Sequence, residues 1–162
     1  MKTLHYMVVL FLMTGLFSAC ASTKEGRSIR KDINGNWGLQ SISTEGINGK
    51  FTTRVFTEAD LNCFTGSTWV FNSNNSLGSY SLENSSGTCV VLKRNIRWSI
   101  YEAKDALPLF QFKRLDDKFK PMDDNNGFRL SITMPDANTM QLKSPVSLEG
   151  MTGNIVYNFV KK

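Results

Sequence analysis

Apolar and polar residues alternate with a period of two along most of this chain. Trp69 and Phe71 share a face, with Thr68, Val70 and Asn72 between and beside them, and Tyr80 and Leu82 repeat the pattern after a Ser-Asn-Asn-Ser stretch at 73–76. Ile96, Trp98 and Ile100 fall on one face, as do Phe110 and Phe112. Phe128, Leu130, Ile132 and Met134 follow, and Tyr157 and Phe159 close the series. Residues two apart on a strand point the same way, so each segment offers one apolar face. Strand candidates are 37–43, 50–56, 67–72, 78–82, 89–93, 96–102, 109–115, 128–134, 139–143 and 154–160. Asn48-Gly49 and Asn126-Gly127 suit type I′ hairpins, Arg94-Asn95 reads as a two-residue link, and 135–138 as a four-residue turn. Only 57–61 and 101–106 offer a helical turn, and neither could cover a sheet.

Many short strands with tight links predict one all-β domain over residues 34–162, an antiparallel up-and-down barrel of about eight to ten strands. The interior of such a barrel is either filled by side chains or holds one small ligand. Trp69, Phe71, Trp98, Phe110 and Phe112 are the residues that would line a cavity for a small apolar molecule; the other reading is that they meet and fill it.

The amino terminus sets the compartment. Lys2 precedes an apolar run from Met7 to Phe17, too short to span a bilayer and suited to a signal peptide. The run ends Leu16-Phe17-Ser18-Ala19-Cys20, which resembles the lipobox of bacterial lipoproteins. That resemblance implies a signal peptide over 1–19, acyl chains on Cys20, and membrane attachment in the bacterial cell envelope. Residues 20–33 are polar, without apolar period, and read as a flexible tether. By resemblance to the enterobacterial lipoprotein sorting scheme, Ala21 after the Cys and the lack of an acidic run imply the periplasmic face of the outer membrane. The other reading is an ordinary signal peptide cut at Ala19 or beyond. With Cys20 acylated, Cys63 and Cys89 remain as a pair in oxidising surroundings, where a disulfide is expected and two buried free thiols are the alternative.

Candidate chemistry is sparse. The only histidine, His5, lies in the signal segment, so Ser-His or Cys-His nucleophile pairs and His-ligated metals are not expected in the mature chain. No catalytic residue, cofactor or metal site is assigned. Asp123-Asp124-Asn125-Asn126-Gly127 suggests calcium, but Met122 stands where the loop pattern needs an oxygen, and the stretch reads as a solvated hairpin tip. Asp116-Asp117 cannot flank one bond, because neighbours on a strand face opposite ways. Lys and Arg exceed Asp and Glu by only 19 to 14 and are scattered, so nucleic acid is not an expected partner. The basic run 93–97 reads as a solvated turn or as a contact for an anion or lipid headgroup.

Gly35-Asn36-Trp37 at the first strand looks like the Gly-x-Trp motif of lipocalins. With Cys20, Cys63, Thr68-Trp69-Val70-Phe71-Asn72, Cys89 and a closing strand ending in lysines, the chain resembles bacterial lipoproteins with a lipocalin-like domain. Lipocalins set an Arg of the last strand over the Trp, whereas here only Lys161 and Lys162 are offered, and no Thr-Asp-Tyr element is present. The resemblance implies non-covalent binding of a small apolar ligand and no enzyme activity. The alternative is an interaction protein with a packed barrel, docking through its loops on an envelope protein.

Overall fold

The computed structural model describes residues 22–47, 53–85, 87–148 and 150–162. The signal segment 1–19, Cys20, the Asn48-Gly49 turn and the first part of the 50–56 strand candidate lie outside them. The elements are α1 (Lys24–Ile33), β1 (Gly35–Glu45), β2 (Arg54–Val55), β3 (Ala59–Asp60), β4 (Thr68–Asn72), β5 (Leu77–Leu82), β6 (Leu92–Tyr101), β7 (Leu109–Leu115), β8 (Phe128–Asp136), β9 (Thr139–Leu148) and β10 (Met151–Lys161).

Eight strands close into a barrel in the order β1-β10-β9-β8-β7-β6-β5-β4, while β2 and β3 form a separate ribbon inside the β1–β4 connection. The alternation read from the sequence is the register seen: Trp69, Phe71, Tyr80, Leu82, Ile96, Trp98, Phe110 and Phe112 all turn inward and are buried. Up-and-down order puts α1 and the β4–β5, β6–β7 and β8–β9 turns at one end, the base. The β1–β4, β5–β6 and β7–β8 connections lie at the other end, the mouth.

Three local expectations are corrected. The candidates 89–93 and 96–102 belong to one strand, β6, and Arg94-Asn95 is no turn. Arg94 points into the barrel, where a carboxylate meets it, so a charge at this position does not end the strand. Asn126-Gly127 is not a type I′ hairpin, since Asn126 has φ −68° and the β7–β8 connection spans 116–127. Neither 57–61 nor 101–106 is helical; a 3-10 turn forms instead at Leu61–Phe64.

A fourth correction matters most. The stretch read as tether is helical from Lys24 to Ile33, capped by Thr23, whose hydroxyl accepts a hydrogen bond from the Gly26 amide at 3.0 Å. Glu102 accepts from Thr23, and its carboxylate lies 2.5 Å from where a Cβ on Gly26 would stand, so a side chain there would push the carboxylate aside. Gly26, Ile29 and Ile33 fall three and four apart on one face, with Arg30 beside them. Only two of those four are apolar side chains, which is why the stretch looked unstructured. Ile33 is fully buried, and its carbonyl accepts the Trp37 Nε1–H at 2.7 Å. The Arg30 guanidinium lies 5.1 Å from the Trp98 ring centroid and donates to Ser73 and Ser76. The helix thus seals the base.

Cys63 and Cys89 are bridged, with Cα atoms 5.4 Å apart. The bridge ties the 3-10 turn of the β1–β4 connection to the loop before β6, so it clamps the mouth rather than the β4–β5 hairpin. It closes a loop of sequence separation 26. Replacing both cysteines by serine is expected to lower the unfolding free energy by about 3–4 kcal/mol, read from urea denaturation.

Candidate functional site in the barrel interior and its plugged mouth

The five aromatic residues expected to line a cavity are brought together. Phe71 lies 5.5 Å from both Trp98 and Phe110, Trp98 stacks on Phe110 at 6.1 Å, and Trp69 meets Phe112 edge-on at 5.8 Å. All are buried, and their rings touch. The space they share is filled rather than left as an open calyx.

Two rings in this cluster, Phe56 and Phe64, come from the β1–β4 connection and not from a barrel strand. Phe56, in the turn between β2 and β3, inserts among Phe64, Trp69, Phe112, Phe128 and Tyr157, with centroids 5.1 to 6.2 Å away. Phe56 and Thr57 both take left-handed backbone angles, φ 52° and 51°. A bulky residue avoids that region unless its surroundings hold it there. The β1–β4 connection is therefore a plug, and Phe56 is its tip.

Glu58, two residues on, pins the plug. Its carboxylate accepts from Arg94 Nε at 2.8 Å and Nη2 at 2.9 Å, from Tyr80 Oη at 2.6 Å, and from Arg114 Nη1 at 2.9 Å. Arg114 in turn forks onto Asp123, which draws the β7–β8 connection across the mouth. Asp123 is thus an internal ion-pair partner, not part of a solvated hairpin tip. The Glu58 and Arg114 side chains are only 7% and 6% exposed, so neither could stand charged there alone. Two carboxylates and two guanidinium groups balance.

Burial pushes the Glu58 carboxyl up, but the hydrogen bonds from Arg94, Tyr80 and Arg114 outweigh it and bring it from 4.5 to about 2. Burial and the same bond raise the Tyr80 phenol. The Arg114 fork holds Asp123 below the usual carboxylate range.

Tyr157 completes the interior. Its ring lies 5.3 Å from Phe56, and its buried hydroxyl has no hydrogen-bond partner among the described residues. At the base, Lys161 Nζ stands 5.3 Å from the Trp37 ring, so a lysine fills the place where lipocalins set an arginine. Sequence reasoning missed Phe56, Glu58 and Tyr157 as site residues. The signal for Glu58 was available: Arg94 shares parity with Ile96 and Trp98, and Arg114 with Phe110 and Phe112. Two inward cations require an internal anion.

A family model described as a lipocalin-like domain matches residues 33–142, more than half of the chain, and the protein belongs to that family. No curated protein and no solved structure matches the chain.

Glu58 has a folded pKa below its ordinary value, so it contributes stability above pH 4.5 that is lost as the pH falls through about 2. Urea midpoints followed from pH 6 to 2 should decline across that window. Glu58→Gln should lower stability at pH 6 by about 3 kcal/mol, because Arg94 loses its countercharge, and should flatten the decline. The slope left in the variant comes from the other carboxylates held below their ordinary range, Asp123 and Asp136.

Proposed function

We propose that this chain is a lipid-anchored, non-catalytic binding module of the bacterial envelope, holding a small apolar ligand in the space its own plug now fills. Acyl chains on Cys20 tether it, on the periplasmic face of the outer membrane. The ligand displaces Phe56 and is bound by Trp69, Phe112 and Phe128, with the Tyr157 hydroxyl meeting its one polar group.

The carrying observation is Phe56, the ring at the centre of the aromatic cluster that belongs to a connection rather than a wall, held on left-handed backbone. Burial of an apolar ligand at ~25 cal/mol per Å² supplies the affinity, and displacing the plug reduces it. The unpartnered Tyr157 hydroxyl supports the same reading, since buried polar groups are rarely left unbonded. A second reading has its own support: Val90, Val91 and Phe119 are 66%, 61% and 49% exposed, all in mouth connections, as for docking on an envelope protein.

The test is the sign of the effect of loosening the plug. Native mass spectrometry of protein from its own envelope extract identifies the bound molecule, and calorimetry then gives its affinity. Glu58→Gln should tighten binding while lowering stability, because more of the population is open. Tyr157→Phe should weaken binding with stability unchanged or raised. Binding that neither variant alters, or a chain carrying no small molecule and recovered with a single envelope protein, favours the docking reading. The anchor is checked separately: fatty-acid labelling should mark the wild type and not Cys20→Ser.

A further inference from the structure

A cleft of about 530 Å³ lies on the outer wall of the barrel, across β6, β7 and β8 and beside the 116–127 connection. Its outward lining alternates with Trp98 and Phe112, interior residues of the same strands that also border it, and its size is that of a small-molecule site. Arg97, Lys113 and Arg129 line it, and no carboxylate does. Arg97 stands directly opposite Lys113 on the paired strands, and Gln111 stands opposite both Ser99 and Arg129. Like charges placed opposite one another on neighbouring strands repel.

Nothing nearby relieves that repulsion. Lys113 donates to the neutral Asn125 amide oxygen at 2.8 Å, and Arg129 donates to Gln111 at 3.3 Å while lying over the Tyr101 ring at 3.8 Å. The Arg97 side chain has neither an ion pair nor a hydrogen bond among the described residues. Arg94 and Arg114, on the inner faces of the same strands, both have carboxylate partners. The outer three are left with an uncompensated field.

The cleft also has an apolar side. Leu115 is buried despite facing outward, because Pro121 bridges to it. Phe119 is half exposed and sits at φ 59°, in a turn built on Asp116, whose carboxylate accepts from the Lys118 and Lys120 amides at 2.9 and 2.8 Å. An aromatic residue held out on left-handed backbone beside three cations is poorly explained by packing.

We propose that this outer cleft binds a small anionic amphiphile. Its phosphate or sulfate group is gripped by Arg97 and Lys113 with Arg129 beside them, and its apolar part lies on Phe119 and Leu115. Guanidinium and ammonium donors suit such oxyanions, and the bound charge removes the cross-strand repulsion. The site stands whether or not the interior holds a ligand.

Hexyl phosphate, inorganic phosphate and neutral hexyl glucoside serve as probes, titrated by calorimetry into the full chain held in phosphatidylcholine nanodiscs. Hexyl phosphate should saturate one site, and Arg97→Gln/Lys113→Gln should weaken it by about tenfold or more. Phe119→Ser should weaken hexyl phosphate and leave inorganic phosphate unchanged, and Lys93→Gln, a charge lost outside the cleft, should change neither. The double variant should melt at or above the wild-type temperature, since it relieves repulsion, so its loss of binding is not a loss of fold. Equal binding of hexyl phosphate by wild type and double variant overturns the proposal, as does an equal loss in Lys93→Gln. Hexyl glucoside binding as tightly as hexyl phosphate removes the anion from it. Inorganic phosphate binding as tightly as hexyl phosphate removes the amphiphile and leaves a free oxyanion as the ligand.

Discussion

A single carboxylate, Glu58, stands between two guanidinium groups inside the mouth of an otherwise aromatic barrel, and the arrangement of the mouth follows from it. Arg94 and Arg114 lie on strand positions whose parity forces them inward. Desolvated cations there would be untenable without an anion, and the walls supply none. The anion arrives on a connection, and in arriving it brings Phe56 into the centre of the core. Arg114 then reaches on to Asp123 and fixes a second connection. Such networks offset much of their attraction by desolvation, so what they supply is position more than net stability.

The two ends of the barrel are closed by different physics. At the base, Ile33 and Trp37 pack without exposed surface, with Lys161 and Arg30 lying over tryptophan rings. That seal is mainly apolar, with Glu102 holding the helix cap at Thr23. At the mouth, closure is ionic, on a connection with strained backbone at Phe56 and Thr57.

How much of this was legible in the sequence depends on where each signal resides. The barrel was readable because every wall strand repeats a period of two, and the buried set Trp69, Phe71, Trp98, Phe110 and Phe112 is the set the alternation placed on one face. Helix α1 was not, because its packed face includes a glycine and an arginine, and Gly26 acts through the absence of a side chain against Glu102, remote in sequence. The plug was not, because Phe56 and Glu58 sit in a turn with no periodicity; what places them is a cation pair on two strands distant in the chain. Arg94 was taken for part of a turn because a charge in an apolar strand looks like an interruption until its partner is known. The outer cleft follows the same rule: Arg97, Lys113 and Arg129 are unremarkable apart, and only the register sets them side by side.

The disulfide has a consequence for movement of the plug. Cys63 closes the 3-10 turn that ends the plug, and Cys89 is its covalent partner on the approach to β6. The plug cannot swing away as a whole; it is leashed at both ends, by the hydrogen-bonded end of β1 and by the sulfur bridge. Were the plug to open as proposed, the bridge would limit the movement to the chain before Cys63, which carries Phe56 and Glu58. Without the bridge the tie would move on to Thr68, where β4 begins, and Phe64 would no longer be held with Phe56. The oxidation state of two cysteines would therefore set how wide the barrel could gape.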